Sequence, residues 1–164
     1  FETFTVLHEA FLGLSAINIP SVVVDFYTLP ERMYLYAHKT LRPLAVIVIE
    51  SSEDVYRFAN ITPVMDMSYP VWLIVFMDDK TSEVCDFCRE PQENLFHLRF
   101  NSETVISCCG AKIMDEWWCK RGGLLNRKPR ARMVGDRVEW LSETSLYTRR
   151  IWVEDPEFRV ATVK

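Results

Sequence analysis

Glycine and histidine are scarce in this sequence, which contains five glycines and three histidines in 164 residues. Few places therefore exist where the backbone could wrap around a phosphate, and no glycine-rich phosphate loop occurs. The histidines His8, His38 and His97 are scattered and lack the spacing of metal ligands. A Gly-x-Ser-x-Gly nucleophile elbow and a His-Glu-x-x-His metalloprotease motif are also missing. We therefore predict a protein that is not an enzyme, with no catalytic residues, no cofactor and no metal.

Long apolar runs are missing as well. The longest, Leu44–Ile49 and Val71–Met77, are far shorter than the roughly 20 residues that a membrane-spanning helix needs. The net charge is −4, and the basic residues are concentrated in the second half, within a glycine- and proline-interrupted stretch that includes Arg127, Lys128 and Arg130. The acidic remainder would repel a polyanion, so we predict no nucleic-acid partner.

Alternating helix and strand patterns fill the first 80 residues. Fully apolar strands separated by amphipathic helices are typical of a parallel sheet that is covered on both faces. The predicted elements are a helix over 2–14, a strand over 22–26, a helix over 30–41, a strand over 44–49, a helix capped by Ser51 or Ser52, and a strand over 71–77. We predict a three-layer α/β fold with a mostly parallel sheet and helices on both faces. Half of a periplasmic-binding-protein-like domain has this architecture.

The second half has a different pattern. It predicts a half-exposed strand at Leu95–Phe100, a strand at Thr104–Ser107, a short helix starting at Asp115, a Gly- and Arg-rich loop, a short helix at Glu143–Arg150 and a strand at Phe158–Val163. The final strand pattern has no partner after it in the sequence. We therefore predict a domain over 1–140, a connector over 141–157, and the first strand of a following domain over 158–164.

Five cysteines lie within 35 residues: Cys85, Cys88, Cys108, Cys109 and Cys119. Three interpretations compete. The Cys85-x-x-Cys88 spacing fits a thioredoxin-like redox pair, although Pro91 would shorten the helix that such a pair requires. A zinc site is disfavoured, because adjacent cysteines in a strand point to opposite faces. Structural disulfides fit best. One of the adjacent cysteines Cys108 and Cys109 would face Cys88, and the odd number of cysteines leaves one thiol unpaired.

A formal N-glycosylation sequon is formed by Asn60, Ile61 and Thr62. Pro63 follows it directly and lowers the chance of modification. Asn60 is therefore a glycosylation candidate that supports an extracellular setting only weakly.

Two segments resemble one protein family. Cys88–Phe100, with its Asn94-Leu-Phe-His-Leu98 stretch, is followed by a strand ending in Cys108-Cys109 and by the acidic-aromatic segment 115–118. This order is similar to the amino-terminal domain of insect chemosensory ionotropic receptors, especially the ionotropic receptor 75a-like group of the ionotropic glutamate receptor superfamily. Ser145–Arg150, leading into Phe158–Val163, resembles the connector that enters the ligand-binding domain of these receptors. Residues 151–155 depart from the family pattern.

The resemblance implies a function and a disulfide. The parent protein would be a ligand-gated cation channel for olfaction, on the extracellular side of the plasma membrane of a sensory neuron dendrite and attached to the membrane only through the rest of the parent chain. This glycoprotein domain would act in folding, in assembly with co-receptor subunits of a hetero-oligomeric channel and in ligand modulation. A small-molecule odorant or acid would bind mainly to the following domain. Cys88 would bridge to Cys108 or Cys109. The competing function is a secreted or organellar thioredoxin-like thiol-disulfide oxidoreductase that uses Cys85 and Cys88.

Overall fold

Six strands form one sheet whose order in space follows their order in the chain. The structure is a computed structural model and describes residues 2–37, 42–77, 83–120 and 123–149. The elements are α1 (Glu2–Ala16), α2 (Leu29–Ala37), β1 (Leu44–Ile49), α3 (Ser52–Ile61), β2 (Val71–Phe76), α4 (Asp86–Arg89), β3 (Glu103–Cys108), β4 (Ile113–Cys119), β5 (Leu125–Val134), β6 (Arg137–Trp140) and α5 (Leu146–Arg149).

The first three strands form the parallel part of the sheet. In this part Val46 of β1 lies beside Leu73 of β2, which lies beside Val105 of β3. Helix α3 connects β1 to β2, and α4 lies in the connection between β2 and β3. The sequences of β1 and β2 are apolar and rich in β-branched residues, a composition that favours strands. The predicted α/β class is confirmed here, together with strands β1 and β2.

The last three strands are antiparallel, so the sheet is mixed rather than mostly parallel. The helix predicted from Asp115 is wrong, because residues 113–119 form β4 between β3 and β5. The prediction of a Gly- and Arg-rich loop is also wrong, because most of that stretch forms β5. Pro129 cannot donate a backbone hydrogen bond, and it lies beside the irregularity where the β4–β5 register shifts. Pairing with β4 along most of β5, and with β6 over residues 131–134, overrides the loop-like composition.

Helix α3 covers one face of the parallel part. The Ser51 side chain accepts a hydrogen bond from the Asp54 amide, and the Asp54 carboxylate accepts one from the Ser51 amide. This capping box starts the helix at the predicted position. Fully buried Phe58 of α3 packs against Trp72 and Phe96, with ring centroids 5.8 and 5.1 Å apart. Such aromatic contacts dominate the stability of a small core.

The opposite face of the sheet is more open. Leu44 and Val46 of β1 expose 64% and 49% of their surface, whereas their neighbours Ala45 and Ile47 are buried against the core. A smaller cluster of Val105, Met114 and Ala131 extends across β3, β4 and β5. The core of the described molecule therefore lies mainly on the side of α3.

Arg42 connects the amino ends of the parallel strands. Its guanidinium donates hydrogen bonds to the carbonyl oxygens of Ser68, Tyr69 and Pro70, which lie just before β2. It also forms an ion pair with Glu103, the first residue of β3. One planar, multidentate side chain thus links the segments that begin all three strands.

Two predicted strands are absent from the sheet. Residues 95–100 form turns, because the Asn94 side chain occupies both backbone groups of Leu98: its oxygen accepts from the Leu98 amide, and its nitrogen donates to the Leu98 carbonyl. His97 has a positive φ of 50°, which a strand does not tolerate. Residues 22–25 are irregular, and Val22 and Val23 are exposed rather than buried. The predicted strand at Phe158–Val163 lies outside the described residues.

Candidate functional site

The candidate site is a cluster of four cysteines at the carboxyl ends of β2 and β3. Cys85 ends a short 3₁₀ turn, and Cys88 lies one turn further along in α4. Both side chains are buried, with exposures of 0% and 4%. Residues spaced by three in a helical turn lie on the same side of it, so both sulfurs face the sheet.

The facing pair is the Cys108–Cys109 doublet, where β3 ends and the chain turns into β4. Cys109 and Gly110 have positive φ values of 40° and 71°, and the amide of Ala111 donates to the carbonyl of Cys108 at 2.8 Å. Positive φ at both central residues, together with this hydrogen bond from the fourth residue to the first, is the signature of a type I′ turn. Cys109 is therefore a turn residue, and strand alternation does not apply to it.

Two disulfides join these elements. Cys88 is bonded to Cys108, and Cys85 is bonded to Cys109, with Cα–Cα distances of 5.6 and 5.9 Å. The sequence left open which partner Cys88 takes, and it assigned Cys85 no bridge. Because of the turn at Cys109, both members of the doublet reach the same side. Gly110, directly after the doublet, is the sequence signal for that turn.

Cys119 is the fifth cysteine, and it forms no disulfide. It lies at the end of β4 with 5% of its surface exposed, near the carbonyl oxygens of Lys120 and Leu124. Burial raises the pKa of this thiol, partly offset by a hydrogen bond from the Gly123 backbone. A buried thiol of raised pKa holds little reactive thiolate, so Cys119 has the environment of a structural cysteine.

The Asn-x-Phe-x-Leu stretch on which the resemblance depends has a structural explanation. Phe96 and Leu98 are buried, with exposures of 2% and 3%, and Asn94 holds the backbone that carries them. The stretch positions apolar side chains beneath α3, close in sequence to the cysteines. In the described structure the apolar side chains of this stretch pack in the core.

Thr62 connects this stretch to the end of α3. Its hydroxyl donates to the carbonyl of Ala59 and also lies 2.9 Å from Nδ1 of His97. A hydroxyl has only one proton, so Nδ1 of His97 must be the donor in the second bond. Thr62 is buried, whereas the glycosylation candidate Asn60 is exposed on the last turn of α3. The sequon thus combines an accessible asparagine with a threonine held in the folded core.

The predicted basic stretch lies mainly on the β5–β6 hairpin. Arg132 forms an ion pair with Glu139 at 2.8 Å, and the Arg130 guanidinium lies over the Trp140 ring, 5.0 Å from its centroid. Cross-strand pairs of this kind stabilise a hairpin. These two arginines therefore have structural partners within the hairpin.

Comparison with protein-family models, with curated proteins and with solved structures finds no match for this chain. Within the described ranges, no helix combines the length and the apolar character needed to cross a membrane. The two disulfides fit an extracellular or secreted protein, because such bonds persist in oxidising compartments.

Proposed function

We propose that this chain is the extracellular amino-terminal domain of a chemosensory ligand-gated cation channel subunit. In this proposal the domain acts in folding and in assembly with co-receptor subunits, and the odorant or acid binds mainly to a following domain. The observation that carries the proposal is the Cys88–Cys108 disulfide. Its partners are residues that the resemblance to ionotropic receptors singles out, and its chemistry suits the extracellular side of a membrane.

The architecture supports the same proposal. Half of a periplasmic-binding-protein-like domain contains parallel strands connected by helices, as β1–β3 with α3 do. The open face of β1, with exposed Leu44 and Val46, is where the three-layer arrangement would place further helices.

The thioredoxin-like alternative needs Cys85 and Cys88 to pair with each other. In the structure both are instead bonded to the Cys108–Cys109 doublet. No further observation favours a redox enzyme, and we do not propose one.

The first test is the coding sequence that follows Lys164. A pore and membrane-spanning segments there are expected, and a stop codon at that point would end the proposal. The second test uses the full-length subunit with Cys88→Ala and Cys108→Ala, expressed together with a co-receptor subunit. We expect loss of surface biotinylation and of co-precipitation, whereas the matched Cys119→Ala subunit should keep both. Normal delivery and assembly without the disulfide would contradict the proposed role.

A further inference from the structure

The sulfur atoms of the cysteine cluster are closer together than two separate disulfides require. Sγ atoms of Cys88, Cys108 and Cys109 all lie within 4.8 Å of one another. The fourth sulfur, of Cys85, is bonded directly to that of Cys109. Four sulfurs from two short segments therefore meet in one small volume.

This arrangement has the ligands of a tetrahedral thiolate site. In such a site the Zn–S distance is about 2.3 Å, which puts the sulfurs about 3.8 Å apart. Breaking both S–S bonds would let the bonded sulfurs separate toward that distance, while the longer separations among the sulfurs of Cys88, Cys108 and Cys109 would shorten by at most about 1 Å. The two segments that carry the cysteines already lie against each other, one as a helical turn and the other as a β-turn. Rotation of the cysteine side chains therefore provides most of the change in the distances between the sulfurs.

The objection that the sequence raises against zinc does not apply to this structure. Adjacent cysteines would diverge if both lay in a strand. Because Cys109 has a φ of 40° in the turn after β3, its sulfur lies on the same side as that of Cys108. The doublet can therefore provide two ligands, and the Cys85-x-x-Cys88 pair provides the other two.

We propose that the reduced cluster is a four-thiolate binding site for one Zn²⁺ ion. Reduction by a phosphine converts each disulfide to two thiols, with the oxygen and two hydrogens of one water molecule going to the phosphine oxide and the thiols. Two phosphines are therefore consumed per chain. The four thiols lose their protons as Zn²⁺ binds, so affinity falls at low pH. Soft thiolates select zinc over Mg²⁺ or Ca²⁺. This inference does not rest on the proposed receptor function.

The test is a titration of the phosphine-reduced chain with Co²⁺ and then with Zn²⁺, under anaerobic conditions. We expect one Co²⁺ per chain, with the thiolate charge-transfer band and the intense visible bands of tetrahedral cobalt, and displacement by one Zn²⁺. The oxidised chain should show no such bands. Absence of the bands in the reduced chain, or binding by the oxidised chain, would overturn the proposal.

Two variants locate the site. Cys119→Ala removes the cysteine outside the cluster and should retain the full cobalt spectrum, whereas Cys109→Ala should lose the four-thiolate spectrum at equimolar cobalt. Alkylation mapping of the unmodified reduced chain gives an answer even if a variant does not fold. Zinc should protect Cys85, Cys88, Cys108 and Cys109 until a chelator is added. Protection that omits any of these four contradicts the four-thiolate site.

Discussion

Removing the disulfides one pair at a time tests whether they act as one cross-link or as two. The variants replace Cys88 and Cys108 by alanine, Cys85 and Cys109 by alanine, or all four. Cys119→Ala is the matched control, because it removes a buried sulfur without removing a bridge.

The expected magnitudes follow from the chain segments that each bridge closes. The bridges span 20 and 24 residues. Either bridge alone would stabilise the fold by about 3 kcal/mol through the lost entropy of the unfolded chain. Once one bridge exists, the second closes only a small ring through residues 85–88 and 108–109, so its increment falls to about 2 kcal/mol. We therefore expect each double variant to lose about 2 kcal/mol and the quadruple variant about 5 kcal/mol.

The assay is equilibrium urea unfolding without reductant, monitored by tryptophan fluorescence. The stability loss of the Cys119→Ala control is used to correct the other variants for the packing lost with each sulfur. The slope with denaturant should rise as bridges are removed, since the unfolded chain becomes more expanded. The decisive result is a comparison of unfolding free energies. The quadruple variant should lose more stability than the two double variants lose when their losses are added. If the loss in the quadruple variant equalled the added losses of the two double variants, the reasoning that the second bridge closes only a small ring would be refuted. The same holds if one double variant lost as much stability as the quadruple variant.

Three further predictions concern the fold. Thr62→Val should lower the free energy of unfolding by about 1–3 kcal/mol, because the hydroxyl has two partners. The matched Thr104→Val, also fully buried but with no hydrogen-bond partner among the described residues, should be neutral or stabilising by the same urea assay; an equal loss would contradict this. Arg42→Lys should lower the free energy of unfolding by about 1–2 kcal/mol, since one ammonium cannot reach three carbonyls and Glu103 together. An unchanged unfolding midpoint would contradict the role of Arg42 in linking the strand ends. Hydrogen bonds from Ser68, with Arg99 3.6 Å away, lower the pKa of Asp66. Its stabilisation is therefore present above the ordinary carboxyl pKa and lost as pH falls through the lower folded value. Asp66→Asn should cost under about 1 kcal/mol near neutral pH and nothing in strong acid, as checked by urea midpoints at both pH values; a loss that persists in acid would contradict the assignment.

Strands β1 and β2 and helix α3 were predictable because their signals are local. A run such as Leu44–Ile49 contains only apolar residues, mostly β-branched, and such residues favour a strand, here the edge strand of the sheet with Ala45, Ile47 and Ile49 buried on one face. Ser51 and Asp54 form the capping box within four residues, so the helix start needs no tertiary information.

The antiparallel half was not predictable from such signals. Trp117 and Trp118 after two acids are compatible with a helix start or with a strand, and pairing with Thr104 and Asn126 on the flanking strands decides between them. Conversely, the alternation in residues 95–100 is real in burial, because Phe96 and Leu98 are inside, but Asn94 uses the backbone groups that a neighbouring strand would need. Hydrophobic alternation reports which side chains are buried, and it does not report where the backbone hydrogen bonds go.

The cysteine cluster shows why one backbone angle was decisive for the site. If β3 continued through Cys109, its sulfur would point away from Cys88, and at most one of the two bridges could form from the doublet. The turn places Cys109 at a positive φ that costs a non-glycine residue roughly 1 kcal/mol, while its amide still donates to the Phe76 carbonyl of β2 at 3.0 Å. A disulfide worth about 2–3 kcal/mol offsets that cost. The bridge and the turn therefore stabilise each other, and loss of the Cys85–Cys109 bond should relax the angle at Cys109 without displacing Cys108 from β3.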